Sequence, residues 1–122
     1  MINKKSYKDL LVWQKAIDLT VEVYRIVKKL PKEELYALSG QIRRAVVSIP
    51  SNISEGQSRN SQKEFMHFLS IAKGSKSELE TQIYICKKIG YLSDEDIEKT
   101  MGLMEEVGKM LNSLINTLRT NN

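Results

Sequence analysis

A row of polar side chains along residues 41–56 has the residue types and the spacing to bind something outside its own helix. The row consists of Arg44, Ser48, Asn52 and Glu55. Intervals of three and four residues place it on one helical face, next to an apolar line. Such a row is either solvated or bonded to another helix, another subunit or a ligand, and composition does not decide between these interpretations.

The chain has too few suitable residues for a metal site or for a nucleophilic catalytic site. Glu64 and His67 have the Glu-x-x-His spacing of di-iron carboxylate bundles, but such a site needs two of these motifs and the chain has a single histidine. Cys86 falls on an apolar helix face about five turns from His67, too far for a catalytic pair. No phosphate-binding glycine loop is present. We therefore expect no enzyme, no metal site and no cofactor.

The composition is typical of one soluble domain that spans residues 1–122. The net charge of +4 is mildly basic, which permits contact with nucleic acid without requiring it. A single cysteine, no signal-peptide pattern and no apolar run of membrane length predict a cytoplasmic protein with no membrane partner. The ends, 1–5 and 120–122, are expected to be frayed.

Four amphipathic segments predict an all-α fold. They span approximately residues 7–29, 32–55, 61–89 and 93–118. Short links between them favour an antiparallel up-down-up-down four-helix bundle. Three helix starts carry a capping-box pattern: Ser6 with Asp9, Ser61 with Glu64, and Ser93 with Asp96. Pro50 predicts a kink in the second helix, and Gly56 and Gly90 suit left-handed C-terminal caps.

The apolar spacing also predicts which side chains enter the core. In the first helix the predicted line is Leu10, Trp13, Ile17, Thr20, Tyr24 and Val27. In the second helix it is Leu35, Leu38, Ile42, Val46, Ile49 and Ile53. The tyrosines are interpreted as core or rim aromatics rather than as platforms on which bases stack, and with the methionines of the fourth helix they would suit a subunit interface.

Basic side chains are the candidate phosphate contacts. The helix dipole is a sufficient reason for the cations at the end of the first helix: Arg25, Lys28, Lys29 and Lys32. Arg43 and Arg44 lie within a helix, where the dipole gives no reason for them, and they are the main candidates. Arg59, Lys63 and Lys73 are further candidates, although glutamates at helical spacing could pair with them instead.

Gly74 and Ser75 lie in the middle of the predicted third helix. A glycine inside a helix costs about 1 kcal/mol relative to alanine. We therefore expect another backbone to approach closely at this point, from the second helix or from a neighbouring subunit. The alternative is a tolerated surface glycine.

These residues resemble a family of four-helix-bundle proteins encoded in intervening sequences of bacterial 23S ribosomal RNA genes, also labelled S23 ribosomal proteins. The resemblance covers nearly the whole chain. Its most specific pieces are QIRRA at 41–45 with SIPSNISEG at 48–56, and FMHFLSIAKGSKSELE at 65–80. Two residues depart from the usual pattern, since Ser54 stands where alanine is usual and Lys76 where leucine is usual.

The resemblance implies a four-helix bundle that assembles as a ring-shaped homopentamer. It is similar to the accessory variability protein of diversity-generating retroelements, a basic pentamer that binds nucleic acid and a reverse transcriptase. This analogy implies that Arg43 and Arg44 contact nucleic acid. It assigns a second set of residues to helix–helix or subunit contacts: Asn52, Glu55, Gly74, Ser75 and Glu78.

Two hypotheses of different classes follow. The leading one is a non-enzymatic, oligomeric protein that binds nucleic acid, with structured RNA as the expected target, through phosphate contacts. Its partners would be copies of itself, RNA or DNA and, by analogy, a reverse transcriptase. The alternative is a protein-interaction scaffold or adaptor with no nucleic-acid role.

Overall fold

The computed structural model describes residues 6–120, and within this range it contains four α-helices and no strand. The helices are α1 (Leu11–Val27), α2 (Leu38–Gln57), α3 (Gln62–Ile89) and α4 (Asp94–Thr120). Short 3-10 turns, Tyr7–Asp9 and Lys32–Glu34, precede α1 and α2. The predicted all-α four-helix class is confirmed. The expected fraying concerns residues 1–5 and 120–122, of which all but Thr120 lie outside the described residues.

Each helix packs against two others, so that α1 and α3 both lie between α2 and α4. Two ion pairs show the relative direction of α1 and α4. Lys29, just after α1, pairs with Asp96 in the first turn of α4, whereas Lys15 pairs with Glu106, well along α4. Because the sequence order is reversed between the two pairs, these helices run in opposite directions.

The core consists mainly of aliphatic side chains, and the line that α1 contributes differs from the predicted one. Its buried apolar residues are Val12, Ala16, Leu19, Val23, Ile26 and Val27. Of the predicted line, Val27 is buried, and Leu10 and Trp13 are half-buried and pack against the core. The middle of the line is wrong, because Tyr24 is 42% exposed and Ile17 and Thr20 are not among the side chains packed against the core. The all-aliphatic line enters the core without bringing hydroxyl groups that would need partners there, whereas Thr20 and Tyr24 would bring two.

The second helix begins six residues later than the spacing predicts. After Pro31 the chain makes a 3-10 turn, and Ala37 has a non-helical backbone with φ −124° and ψ −106°. Leu35 is consequently 44% exposed and does not belong to the core. From Ile42 onward the prediction is confirmed, since the four later members of the line have no exposed surface: Ile42, Val46, Ile49 and Ile53.

Local hydrogen bonds mark where the helices begin and end. Ser61 Oγ accepts from Glu64 N at 3.2 Å, and Ser93 and Asp96 make a reciprocal capping box with bonds of 2.9 and 3.1 Å. Gly90 has φ +99° and forms the predicted left-handed cap of α3. Ser6 instead caps the 3-10 turn through Lys8 N, because α1 begins only at Leu11.

Gly56 does not form the predicted left-handed cap; it lies inside α2, at a point where α3 packs closely against it. A Cβ at Gly56 would lie 2.8 Å from Phe68 Cβ and 2.9 Å from Phe65 Cδ1, closer than carbon atoms pack. The helix continues one residue further, to Gln57, with Pro50 buried inside it. The kink at Pro50 stays a prediction.

Replacing Gly56 by alanine should lower the free energy of unfolding by about 1–3 kcal/mol, as overpacking of a tight contact generally does. The first clash is with Phe68 Cβ, which cannot move without the backbone of α3. Urea denaturation monitored by circular dichroism measures the change.

The control is Gly102→Ala in α4, where a Cβ would meet no atom within 4 Å. This variant should gain up to about 1 kcal/mol from helix propensity alone. A stabilising effect at both glycines would contradict the close approach of α3 to Gly56.

The Lys29–Asp96 pair makes stability dependent on pH. The Lys29 ammonium, and then the Ser93 N–H, lower the pKa of Asp96 from 3.8 to about 2. A lowered pKa stabilises the folded state above the unfolded value of 3.8, and this contribution is lost as the pH falls towards 2. Asp96→Asn should therefore destabilise the protein at neutral pH, and its difference from wild type should shrink across that acid range. Thermal unfolding at several pH values tests this, and a difference that does not change with pH would contradict it.

Candidate nucleic-acid interface

The polar row of α2 bonds to α3 at its centre. Ser48 Oγ and Ser75 Oγ lie 2.8 Å apart, and Asn52 Nδ2 donates to Ser48 O at 2.8 Å and to Ser48 Oγ at 2.9 Å. Ser75 thus makes a helix–helix contact, and Asn52 orients its partner. At the end of the row, Glu55 pairs with Arg59 at 2.7 Å. The interpretation of the row as a purely solvated face is therefore wrong.

Gly74 and Glu78 lie on an outward face of α3. Nothing within 4 Å would contact a Cβ at Gly74, so the suggestion that α2 approaches there is wrong. A neighbouring subunit and a tolerated surface glycine are the two predicted reasons that stay open. Glu78 Oε2 accepts a long bond of 3.4 Å from Gln82. Gly74 and Glu78 share this face of α3 with three exposed isoleucines, which lie at intervals of three, four and seven residues. We call this face the α3 outer stripe; it comprises Ile71, Gly74, Glu78, Ile85 and Ile89.

The five candidate phosphate contacts do not form one cluster. Arg59 lies after the end of α2, where it pairs with Glu55 and Glu64 and stacks over the Phe68 ring at 4.9 Å. Lys63 is exposed in the first turn of α3. Lys73 lies midway along α3, in a depression that it shares with carboxylates of α3 and α4. Arg43 and Arg44 lie elsewhere, between α1 and α2.

Arg43 and Arg44 belong to an open groove between α1 and α2, formed by three adjoining depressions of about 750, 600 and 380 Å³. We call it the α1/α2 groove. Its exposed apolar residues are Val21, Tyr24, Leu35, Tyr36 and Val47. Its cations are Arg25, Lys28, Lys32, Arg43 and Arg44. Among the described residues that line it there is no aspartate or glutamate.

The two arginines of α2 reach back towards the start of the helix. Arg43 Nη2 lies 3.4 Å from the Leu35 carbonyl oxygen, to which it donates, and Arg44 Nη1 would lie 3.3 Å from a Cβ at Gly40. Helical side chains generally lean in this direction. The positive end of the helix dipole disfavours cations there, so the dipole gives no reason for either arginine.

Most cations of the groove have no carboxylate partner. Arg25 is the exception, since it makes two bonds to Glu22, a buried carboxylate of α1 whose pKa this hydrogen bonding lowers. No ion pair within residues 6–120 involves any of the other four, Lys28, Lys32, Arg43 and Arg44. The groove thus has uncompensated positive charge over an apolar floor, which suits a polyanion with apolar parts.

Other depressions of the surface have mixed charge. The one between the end of α3 and the start of α4 contains Lys87 together with Asp94, Glu95 and Glu98. The one farther along these helices contains lysines together with Glu80 and Glu105. Mixed charges compensate one another, so neither depression presents a uniform field to a phosphate chain.

The sequence interpretation placed Tyr24 on the apolar line of the first helix and took Tyr36 as a core or rim aromatic, and it included neither in a candidate binding site. Tyr36 is 95% exposed and precedes α2, and both rings line the α1/α2 groove beside Arg43 and Arg44. For Tyr24 a signal was present in the sequence: α1 has a second apolar line, from Val12 to Ile26, that is entirely aliphatic. Burial of that line leaves Tyr24 outside the core. No local signal distinguishes Tyr36, because its exposure depends on where α2 begins.

Groups with catalytic potential are sparse in the described part of the chain. Burial raises the pKa of the Cys86 thiol to about 11, which keeps the thiol protonated and unreactive at neutral pH. Within residues 6–120 no three histidine, cysteine or acidic side chains are grouped as metal ligands would be. Over the same range, no helix has the length and apolar character needed to cross a membrane.

Comparison with known proteins now places the chain. Residues 8–113 match the family model described as 23S rRNA-intervening sequence protein. The chain belongs to this family. A crystal structure of an S23 ribosomal protein family member from Bacteroides thetaiotaomicron, a protein of unknown function, is 27% identical with a TM-score of 0.79. The similarity covers 86% of this chain and 98% of that one, and no curated protein matches.

Proposed function

We propose that this 23S rRNA-intervening sequence protein is a non-enzymatic, cytoplasmic protein that binds structured RNA through the α1/α2 groove. The observation that carries the proposal is the group of four unpaired cations over that groove, with no carboxylate among its described lining residues. Lysine and arginine at such a surface contact phosphates irrespective of base sequence, and release of counterions drives the binding. Membership of a family described by its place in ribosomal RNA genes supports RNA as the target.

We also propose that the protein self-associates through the α3 outer stripe, with a pentamer as the expected assembly. Three isoleucines on one face are exposed in the single chain, and the open space at Gly74 allows a neighbouring helix to approach. An assembly would repeat the α1/α2 groove in every subunit. Weak phosphate contacts would then add through multivalency, as linked binding sites do.

Replacing Arg43 and Arg44 together by glutamine should weaken RNA binding and flatten its salt dependence. Each lost phosphate contact reduces the slope of log K against log salt by about 0.7 for single strands and by about 0.9 for a duplex, so on a hairpin the double variant should lose about 1.4 to 1.8. Fluorescence anisotropy with a short RNA hairpin, between about 50 and 200 mM salt, measures both quantities.

The matched control is Lys99→Gln with Lys109→Gln, which removes the same charge from α4. Both lysines are strongly exposed, and α4 does not pack against α2. This control should bind RNA nearly as wild type does. An equal loss of RNA affinity in the two double variants would mean that net charge alone explains the effect, and it would contradict a binding site in the groove.

Ile85→Glu should dissociate the assembly, because it replaces one of the three exposed isoleucines of the α3 outer stripe by a second carboxylate beside that of Glu78. Sedimentation analysis should then find the single chain of 14.0 kDa where wild type is larger. Val21→Glu is the control, since Val21 is 67% exposed but lies on α1 in the α1/α2 groove. If Val21→Glu dissociates the assembly and Ile85→Glu does not, the subunit interface lies in the α1/α2 groove and not on the α3 outer stripe.

A further inference from the structure

We infer that the α1/α2 groove recognises unpaired nucleotides, with bases stacked on Tyr36 and neighbouring phosphates held by Arg43 and Arg44. This inference rests on the proposed function and narrows its target from structured RNA in general to the loops, bulges and ends of such RNA. It depends on the aromatic side chains of the groove rather than on its charge.

Tyr36 is placed as a stacking platform would be. Its side chain is 95% exposed, so both faces of the ring meet solvent and are available to a base. It stands in the turn between the 3-10 segment Lys32–Glu34 and the start of α2, beside the arginines that lean back to that point. An aromatic ring beside arginines is the combination by which proteins hold single strands, with bases on the ring and phosphates on the cations.

The floor of the groove continues this apolar surface along the bundle. Tyr24 and Val47 each line more than one of the adjoining depressions, and Val21 extends the floor along α1. A duplex could use the cations alone, because its base faces are covered by their stacked neighbours. Unpaired nucleotides could use both the cations and the floor, since their base faces are free to stack on protein side chains.

Charge argues against a twofold contact with a second copy of the chain in this groove, and in the proposed ring the neighbouring subunit is assigned to the α3 outer stripe instead. In a twofold contact through this groove, Arg43 and Arg44 of one chain would face the same cations of the other, because such a contact pairs a surface with itself. Juxtaposed like charges oppose association. A polyanion has the complementary charge, and its bases suit the apolar floor.

Tyr36→Ala tests the inference, because a side chain this exposed contributes little to the core. Two RNA probes are compared at one salt concentration: an unstructured strand, and a blunt duplex that contains the same strand. Wild type should prefer the unstructured strand. Tyr36→Ala should lose at least about fivefold in affinity for that strand and leave duplex binding unchanged. Tyr36→Phe should retain wild-type affinity, since the ring and not the hydroxyl makes the stack.

Tyr84→Ala is the matched control. Tyr84 is also exposed and lies near two lysine ammonium groups, Lys87 and Lys88, but on the α3 side of the bundle. The Tyr84→Ala variant should bind the unstructured strand and the duplex as wild type does. A strand containing 2-aminopurine adds a direct readout, because stacking on Tyr36 should change its fluorescence in wild type and not in Tyr36→Ala.

The outcomes separate this inference from the proposed function. Equal binding of strand and duplex that depends on Arg43 and Arg44 but not on Tyr36 overturns the inference and leaves the proposed function standing. Binding to neither probe overturns both. A changed sedimentation mass of Tyr36→Ala without RNA would mean that another copy covers the groove, which also overturns the inference. A DNA strand of the same sequence that binds with similar Tyr36 dependence supports stacking, since its bases present similar faces.

Discussion

Burial of one aliphatic line from each helix is the constraint on which the surface of this bundle depends. In α1 the line from Val12 to Ile26 turns inward because it brings no polar atom into the core. Each residue advances a helix by about 100°, so the same rotation turns Val21 and Tyr24 outward. The apolar floor of the α1/α2 groove is thus a consequence of core packing.

The contact between α2 and α3 fixes the other wall of the groove. Gly56 lets Phe65 and Phe68 approach the backbone of α2, and the Ser48–Ser75 bond joins the same helices about two turns away. These two contacts lie on the α3 side of α2 and hold its rotation. Arg43 and Val47 then face α1 and the solvent, on a rigid helix rather than on a loop.

Ion pairing elsewhere explains how a chain of modest net charge presents a strongly basic groove. Nineteen basic and 15 acidic side chains give only +4. Many acids, however, pair with cations outside the groove, as Asp94 does with Lys87, and Asp96 with Lys29. Lys28, Lys32, Arg43 and Arg44 keep their charges uncompensated, so local fields and not the total charge determine what this surface attracts.

The sequence by itself determined the four helices, the caps at Ser61, Ser93 and Gly90, the buried line of α2 from Ile42 onward, and the family. These follow from local hydrogen bonding and from a periodicity that only one face of α2 satisfies. Only the tertiary structure decided which of two adjacent apolar lines of α1 is buried, why Gly56 is a glycine, and that Tyr36 stands exposed beside Arg43 and Arg44. The physical reason is that spacing along a chain sets the period of a helix, whereas its rotation and the approach of its neighbours depend on side chains far away in sequence.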